Sequence, residues 1–101
     1  MRRIKLKLNS DAYHLSAVGH LYEAPAPARD PAGVRAFSIR NTVFPEFDLD
    51  PGDYVFRFRV RNGEGKFEVV AYDTRSNRST KVKFDTADGF EELTFPFTVT
   101  A

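Results

Sequence analysis

Residues 54–61, YVFRFRVR, alternate apolar and charged side chains, and this period of two most constrains what the chain can fold into. The tyrosine, the two phenylalanines and the second valine fall on one face of an extended chain, and the three arginines fall on the other. Residues 62–65, NGEG, follow with side chains that tolerate positive φ, and the apolar alternation resumes at Phe67. The pattern predicts a half-buried β-strand, a hairpin turn at residues 62–65 and a return strand.

Shorter runs of the same kind occupy the rest of the chain, and no stretch has the 3.6-residue period of a helix. Turn-forming residues separate these runs at short intervals, as in β-sandwiches and small barrels. The predicted strands are residues 3–9, 12–22, 34–40, 42–44, 54–61, 67–72, 80–85 and 92–100. We therefore predict an all-β fold, a single antiparallel β-sandwich of seven to eight strands that forms one domain over residues 1–101.

The alternation also predicts which side chains form the core. In the second strand, Tyr13, Leu15, Ala17 and Leu21 face inward, and Gly19 interrupts this row, which indicates a bulge or a close backbone approach. Pro96 lacks a backbone N–H, so we expect the last strand at a sheet edge. The main predicted core residues are Leu6, Leu8, Leu15, Tyr54, Phe56, Phe58, Val60, Phe67, Val69, Val82, Phe84, Phe95, Phe97 and Val99.

Residues 49–54, LDPGDY, followed by the alternating strand, resemble a motif of immunoglobulin-like and fibronectin type III-like β-sandwiches. In those domains the motif marks the corner before a late strand, and bacterial accessory domains of this broad class often carry the same spacing. The resemblance implies that Tyr54 forms a tyrosine corner, with its hydroxyl bonded to backbone a few residues upstream. Three predicted strands follow the motif strand, after which fibronectin type III domains usually have one, so we expect a different strand order, closer to prealbumin-like or C2-like sandwiches. The resemblance concerns architecture and implies no functional residue.

The residues that catalysis and metal binding require are scarce. The chain has no cysteine, which excludes disulfides, thiolate nucleophiles and cysteine-based zinc sites. His14 and His20 are six residues apart on one predicted strand, about 20 Å, which is too far to share a metal ion. The acidic residues between positions 46 and 53 are of the type that binds calcium, but they lack the EF-hand spacing. We therefore predict no enzyme activity, no metal and no cofactor.

Residues 23–33, EAPAPARDPAG, form the one clear loop, and their three prolines favour an extended path. Loops of this length often have a function, and edge strands offer unpaired backbone groups. We predict a non-catalytic interaction or assembly module that binds a protein partner or itself through this loop and an edge strand. The predicted partner-binding residues are Pro25, Pro27, Arg29 and Pro31.

The alternative function is a ligand-binding module for a polyanion or a carbohydrate. Seven basic residues take the outward parity of their strands, and they would form one basic stripe if those strands shared a sheet. In the predicted hairpin, Arg59 lies opposite Glu68, which would neutralise part of that stripe. Outward Tyr22 and Tyr72 are the candidates for stacking on a sugar. The predicted anion-binding residues are Lys5, Lys7, Arg57, Arg59, Arg61, Lys81 and Lys83.

The net charge of +1 provides no global field for nucleic acid or a membrane surface, so neither is a predicted partner. No window approaches the roughly 18 apolar residues of a membrane span. The basic start, MRRIKLKLNS, has no continuous apolar run behind it, and it is typical of a first strand rather than a signal peptide. We expect a cytoplasmic protein.

Overall fold

Eight β-strands form two sheets in a computed structural model, which describes residues 1–29 and 35–100. A short 3₁₀ turn, Thr86–Asp88, lies between the last two strands. The strands are β1 (Arg2–Ser10), β2 (Ser16–Glu23), β3 (Phe37–Ile39), β4 (Glu46–Leu49), β5 (Gly52–Arg61), β6 (Lys66–Asp73), β7 (Ser79–Asp85) and β8 (Leu93–Val99).

The first sheet has the strand order β4-β1-β6-β7, and the second sheet has the order β3-β2-β5-β8. Every pairing is antiparallel, so the predicted all-β, two-sheet sandwich is confirmed. In immunoglobulin constant-type domains the first two strands share a sheet. Here β1 and β2 lie in different sheets, so the strand order differs from that type, as the sequence led us to expect.

The predicted hairpin at residues 62–65 is wrong. β5 lies between β2 and β8, whereas β6 lies between β1 and β7, so the segment crosses from one sheet to the other. The positive φ angles of Asn62 and Gly65, 60° and 117°, are present as the residue types suggest. Positive φ shows that the chain reverses, but it does not show whether the two strands pair, which depends on the neighbours each strand finds.

The core lies between the two sheets and is rich in stacked aromatic rings. Phe56 and Phe95 are completely buried, and Phe58 is nearly so. The rings of Phe56 and Phe58 stack with centroids 5.0 Å apart, and the Phe84 ring meets that of Phe58 edge-on at 5.3 Å. All predicted core residues belong to this cluster, with Val82 and Phe84 half-buried at its edge. The core also contains residues outside the main prediction: Ile4, Ala17, Ile39 and Ala71.

Strand β2 starts later than predicted. Residues 12–14 belong to the turn that precedes it, and Tyr13 is 64% exposed, so its predicted inward position is wrong. At Gly19 the pairing with β5 continues without a bulge, but the backbones approach closely. A Cβ atom at Gly19 would lie 1.9 Å from the carbonyl oxygen of Arg57 and 2.6 Å from the Cα of Phe58. Only glycine fits here, which confirms the predicted close approach.

The predicted strand at residues 42–44 is a tight turn. Arg40 and Val43 exchange backbone hydrogen bonds of 3.2 and 3.1 Å, which closes the chain back on itself. The carbonyl of Pro45 then accepts a hydrogen bond from the N–H of Leu6 at 3.0 Å, and β4 continues along β1 from Glu46. The sequence signal for β4 is weak because the strand is short and at an edge, with both Glu46 and Asp48 pointing outward.

Candidate interaction surfaces

The two sheets have four edge strands, and three of these edges offer little backbone for a further strand. β3 has three residues, and β4 has four with two carboxylates. β8 has seven residues, but Pro96 at its centre has no N–H to offer a further strand. The strand order confirms the predicted edge position of β8. β7 also has seven residues and contains no proline. In the described part of the chain, β7 is therefore the longest uninterrupted edge.

Two hydrogen bonds determine which backbone groups of β7 point away from the sheet. At one end of the β6–β7 pair the N–H of Asp73 donates to the carbonyl of Arg78 at 2.9 Å, and at the other end the N–H of Thr86 donates to the carbonyl of Gly65 at 3.1 Å. Bonded and non-bonded pairs alternate along an antiparallel ladder. Both bonds therefore indicate that every second residue of β7, beginning with Ser79, directs its N–H and C=O groups away from β6. These residues are Ser79, Lys81, Lys83 and Asp85.

None of the turn, loop or side-chain hydrogen bonds found among residues 1–29 and 35–100 reaches those outward groups. The edge lies at the side of the sandwich, where β7 of the first sheet and β8 of the second both end their sheets. We call this row of backbone groups the β7 edge.

The exposed side chains around the β7 edge are mostly basic. Residues 74–84 include Arg75, Arg78, Lys81 and Lys83, all exposed, and no acidic residue, whereas Asp73 and Asp85 flank this segment. None of the ion pairs within the described residues involves them. Lys83 faces Glu68 across the β6–β7 pair, but no ion pair forms between them, and the Glu68 carboxylate accepts a hydrogen bond from the Asn9 side chain at 3.1 Å.

The opposite edge of the first sheet is neutralised. Arg3 approaches both Glu46 and Asp48 at 3.4 Å, and Lys5 approaches Glu46 at 3.8 Å. Lys7, farther along β1, lies over the ring of Tyr72 at 4.7 Å. On this sheet, the basic side chains of β7 are therefore the ones that take no part in the ion pairs found among the described residues.

A groove lies beside the β7 edge on its inner side. It has a volume of about 470 Å³ and runs between the start of β7 and the end of β8, with Thr80 on one wall and Phe97 and Thr98 on the other. Val82 is only half-buried at this side of the core. A strand added to β7 would cover the groove, because its inward side chains would point across it toward β8.

The seven predicted anion-binding residues do not form one stripe. Lys5, Lys7, Lys81 and Lys83 lie on the first sheet, and Arg57, Arg59 and Arg61 lie on the second. The predicted cross-strand pair of Arg59 and Glu68 is wrong, because β5 and β6 are in different sheets and Arg59 lies opposite Val18. The basic residues are divided between the two outer faces of the sandwich.

The described part of the 23–33 loop lies against the second sheet. The carbonyl of Pro27 accepts a hydrogen bond from the guanidinium of Arg57, and this guanidinium also covers the ring of Tyr22 at 4.9 Å. Pro25 and Arg29 are exposed, and Pro31 lies outside the described residues.

The two tyrosines that were predicted to stack on a sugar are both covered by basic side chains. Tyr22 faces outward but is 8% exposed, and Tyr72 is half-buried under Lys7. Neither ring offers an open face on which a sugar could stack.

Three of the four acidic residues between positions 46 and 53 have side-chain partners within the protein. Glu46 and Asp48 form the ion pairs with β1, and the carboxylate of Asp53 accepts a hydrogen bond from the Thr98 hydroxyl at 2.7 Å. Within residues 1–29 and 35–100, no three histidine, aspartate or glutamate side chains are placed to hold one metal ion. In the same residues, no helix is long and apolar enough to cross a membrane.

Two side chains have displaced pKa values. The backbone N–H of Arg75 lowers the pKa of Asp73, and the N–H of Ser76 and the charge of Arg2 act in the same direction. Burial raises the pKa of Tyr54, and the negative charges of Glu23 and Asp50 raise it further. The hydrogen bonds that lower the pKa of Asp73 lie in the turn that leads into β7, and Tyr54 lies near the start of β5.

Comparison of the chain with known protein families, curated proteins and solved structures finds no significant match. Function must therefore be inferred from the geometry of the chain itself.

Proposed function

We propose that the protein is a non-catalytic interaction module that binds an extended segment of a protein partner as an additional strand on β7. The observation that supports this most directly is the β7 edge, with the outward N–H and C=O groups of Ser79, Lys81 and Lys83. In strand addition, main-chain hydrogen bonds provide affinity and alternate side chains provide selectivity. A sandwich with three weak edges and one long uninterrupted edge favours pairing at that one place.

The proposal retains an edge strand as the contact surface and moves the main site away from the proline-rich loop. One loop carbonyl, that of Pro27, is already bonded to Arg57, so this part of the loop contributes to covering the second sheet. The polyanion alternative is less well supported, because the basic residues are divided between two faces. A carbohydrate site is less well supported because both candidate tyrosines are covered.

The substitution Lys81→Pro tests the proposal. The Lys81 N–H points away from β6, so proline removes a donor that a partner strand needs without removing a bond of the β6–β7 ladder. The probes are labelled peptides of about seven residues, a common strand length, which alternate threonine or valine with glutamate, glutamine or lysine. Binding is measured by fluorescence polarisation. We expect at least one of the three peptide classes to bind the wild-type protein and to lose most of its binding to Lys81→Pro.

Thr94→Pro is the matched control. Thr94 has the same parity on β8 as Pro96, so its N–H also points outward from an edge, but from the other sheet. This variant should bind the peptides as the wild-type protein does. The proposal is overturned if no class of peptide binds the wild-type protein, or if Lys81→Pro and Thr94→Pro bind equally well.

A further inference from the structure

We infer that the partner strand on β7 carries acidic side chains at alternate positions on its outer face and apolar side chains between them. This inference rests on the proposed function and specifies the class of partner. Two independent features support it: the lysines of β7, which form no ion pair among the described residues, and the groove between β7 and β8.

The outer face of β7 indicates where the partner strand carries acidic residues. In a new antiparallel pair, the residues opposite Lys81 and Lys83 would form hydrogen-bonded pairs with them, with Cα atoms about 5.5 Å apart. Their side chains would lie on the same outer face as the two lysines, within reach of the ammonium groups. The carboxylates of this face, Glu68 opposite Lys83 and Asp85 at the end of β7, form no ion pair with the two lysines, so a partner strand can supply the countercharges.

The inner face of β7 indicates where the partner strand carries apolar residues. Residues of the partner strand that alternate with the acidic ones would point inward, beside Thr80 and Val82. There they would cover the groove that reaches Phe97 on β8. A charged side chain placed inward beside Thr80 would lose water against Phe97 and Val99, whereas the charged residues that line the groove, Asp73 and Arg78, precede β7. Valine or threonine would instead extend the core at its open side.

A second copy of the chain fits this edge poorly in the two registers that overlap most of β7. In an antiparallel β7–β7 pair centred on Val82, Lys81 of each copy lies opposite Lys83 of the other, and in a pair centred on Lys81 it lies opposite itself. Like charges directly opposite each other destabilise a strand pair. The same lysines that favour an acidic segment therefore disfavour self-association in these two registers.

Peptide binding at low salt with two charge-reversed proteins tests the inference. The probes are the alternating glutamate–valine peptide, its glutamine–valine and lysine–valine counterparts, and a peptide of the first composition with its glutamates in one block. We expect the alternating acidic peptide to bind the wild-type protein roughly tenfold or more tightly than the others, with an affinity that falls as salt rises. Lys81→Glu with Lys83→Glu should reverse this preference in favour of the lysine–valine peptide.

Arg59→Glu with Arg61→Glu is the matched control, since it changes the net charge by the same amount on the second sheet. It should leave the preference unchanged. If the neutral or basic peptides bind wild-type protein as tightly as the acidic one, and this binding is lost in Lys81→Pro, the acidic partner is wrong and the proposed function stands. If no peptide binds, both fail. A dimer that Lys81→Pro abolishes would show that a second copy, and not an acidic segment, occupies the edge.

Discussion

The phenolic hydroxyl of Tyr54 donates a hydrogen bond to the backbone carbonyl of Asp50, four residues upstream, at 2.7 Å. The ring is buried and stacks on Phe97 with centroids 5.8 Å apart. This is the tyrosine corner that the sequence LDPGDY implies. The bond joins the 50–51 turn to β5, so it holds the chain at the point where it passes from the first sheet to the second.

Replacement of Tyr54 by phenylalanine is predicted to reduce the free energy of unfolding by about 1–2 kcal/mol, because the Asp50 carbonyl loses its donor while the ring remains. Urea unfolding measures the loss. Tyr13→Phe is the control, since Tyr13 is 64% exposed and its hydroxyl has no comparable role; it should change stability by less than about 0.5 kcal/mol. Equal effects of the two substitutions would contradict a stabilising role for the corner.

The raised pKa of Tyr54 predicts a loss of stability at high pH. The unfolded state releases the phenolic proton first, at a pH of about 10, because burial in the folded state disfavours the phenolate. The stabilising contribution of Tyr54 is therefore complete below that pH and is lost as the pH rises through the folded-state pKa. Urea unfolding at several pH values above 9 measures it, and the difference in stability between wild-type protein and Tyr54→Phe should shrink as the pH rises. A difference that stays constant with pH would contradict the shift.

Gly19→Ala is predicted to destabilise the fold by about 3 kcal/mol or more, the upper part of the range for overpacking. The added Cβ would meet the backbone of Arg57 and Phe58, which cannot move aside as a side chain would. Val18→Ala changes the neighbouring, half-exposed position and should cost less than about 1 kcal/mol. Thermal unfolding of the two variants compares them directly, and similar melting temperatures would show that β2 and β5 are farther apart at Gly19 than described.

Phe58→Ala is predicted to cost about 3–5 kcal/mol, from lost burial and the cavity left behind. Phe58 contacts three other rings, those of Phe56, Phe67 and Phe84, and thereby joins the two sheets. The control is Phe90→Ala, because Phe90 is 44% exposed and removing its side chain leaves no enclosed cavity. Chemical unfolding of both variants would contradict the core described here if Phe90→Ala were the more destabilising.

The strands and the core were predictable from the sequence because their signals are local. Alternation along β5 specifies which face is buried, whatever strand lies beside it. The tyrosine corner needs only residues 50–54, and the edge position of β8 follows from one proline. Errors occurred where the outcome depends on distant residues: the turn at 62–65 is correct in type, but whether its flanking strands pair depends on β1, β2, β7 and β8.

The candidate site was only partly predictable for the same reason. The sequence shows Lys81 and Lys83 on one face of a strand, and it suggests that an edge strand mediates contact. It does not show that β7 is the edge, since that depends on β6 pairing with β1 on its other side. Nor does it show that the arginines of β5 lie on the opposite face of the molecule from these lysines. This separation is the reason that the predicted basic stripe does not form.

Amide hydrogen exchange of β7, followed residue by residue with NMR, tests the central claim most directly. In the free protein, the amides of Ser79, Lys81 and Lys83 should exchange fast, whereas those of Thr80 and Val82, bonded to β6, should exchange slowly. Adding the alternating glutamate–valine peptide should slow exchange at Lys81 and Lys83 and leave the β8 amide of Thr94 unchanged. Slow exchange of the Lys81 and Lys83 amides in the free protein, or no change on adding the peptide at concentrations where it binds, would contradict an open β7 edge that accepts a partner strand.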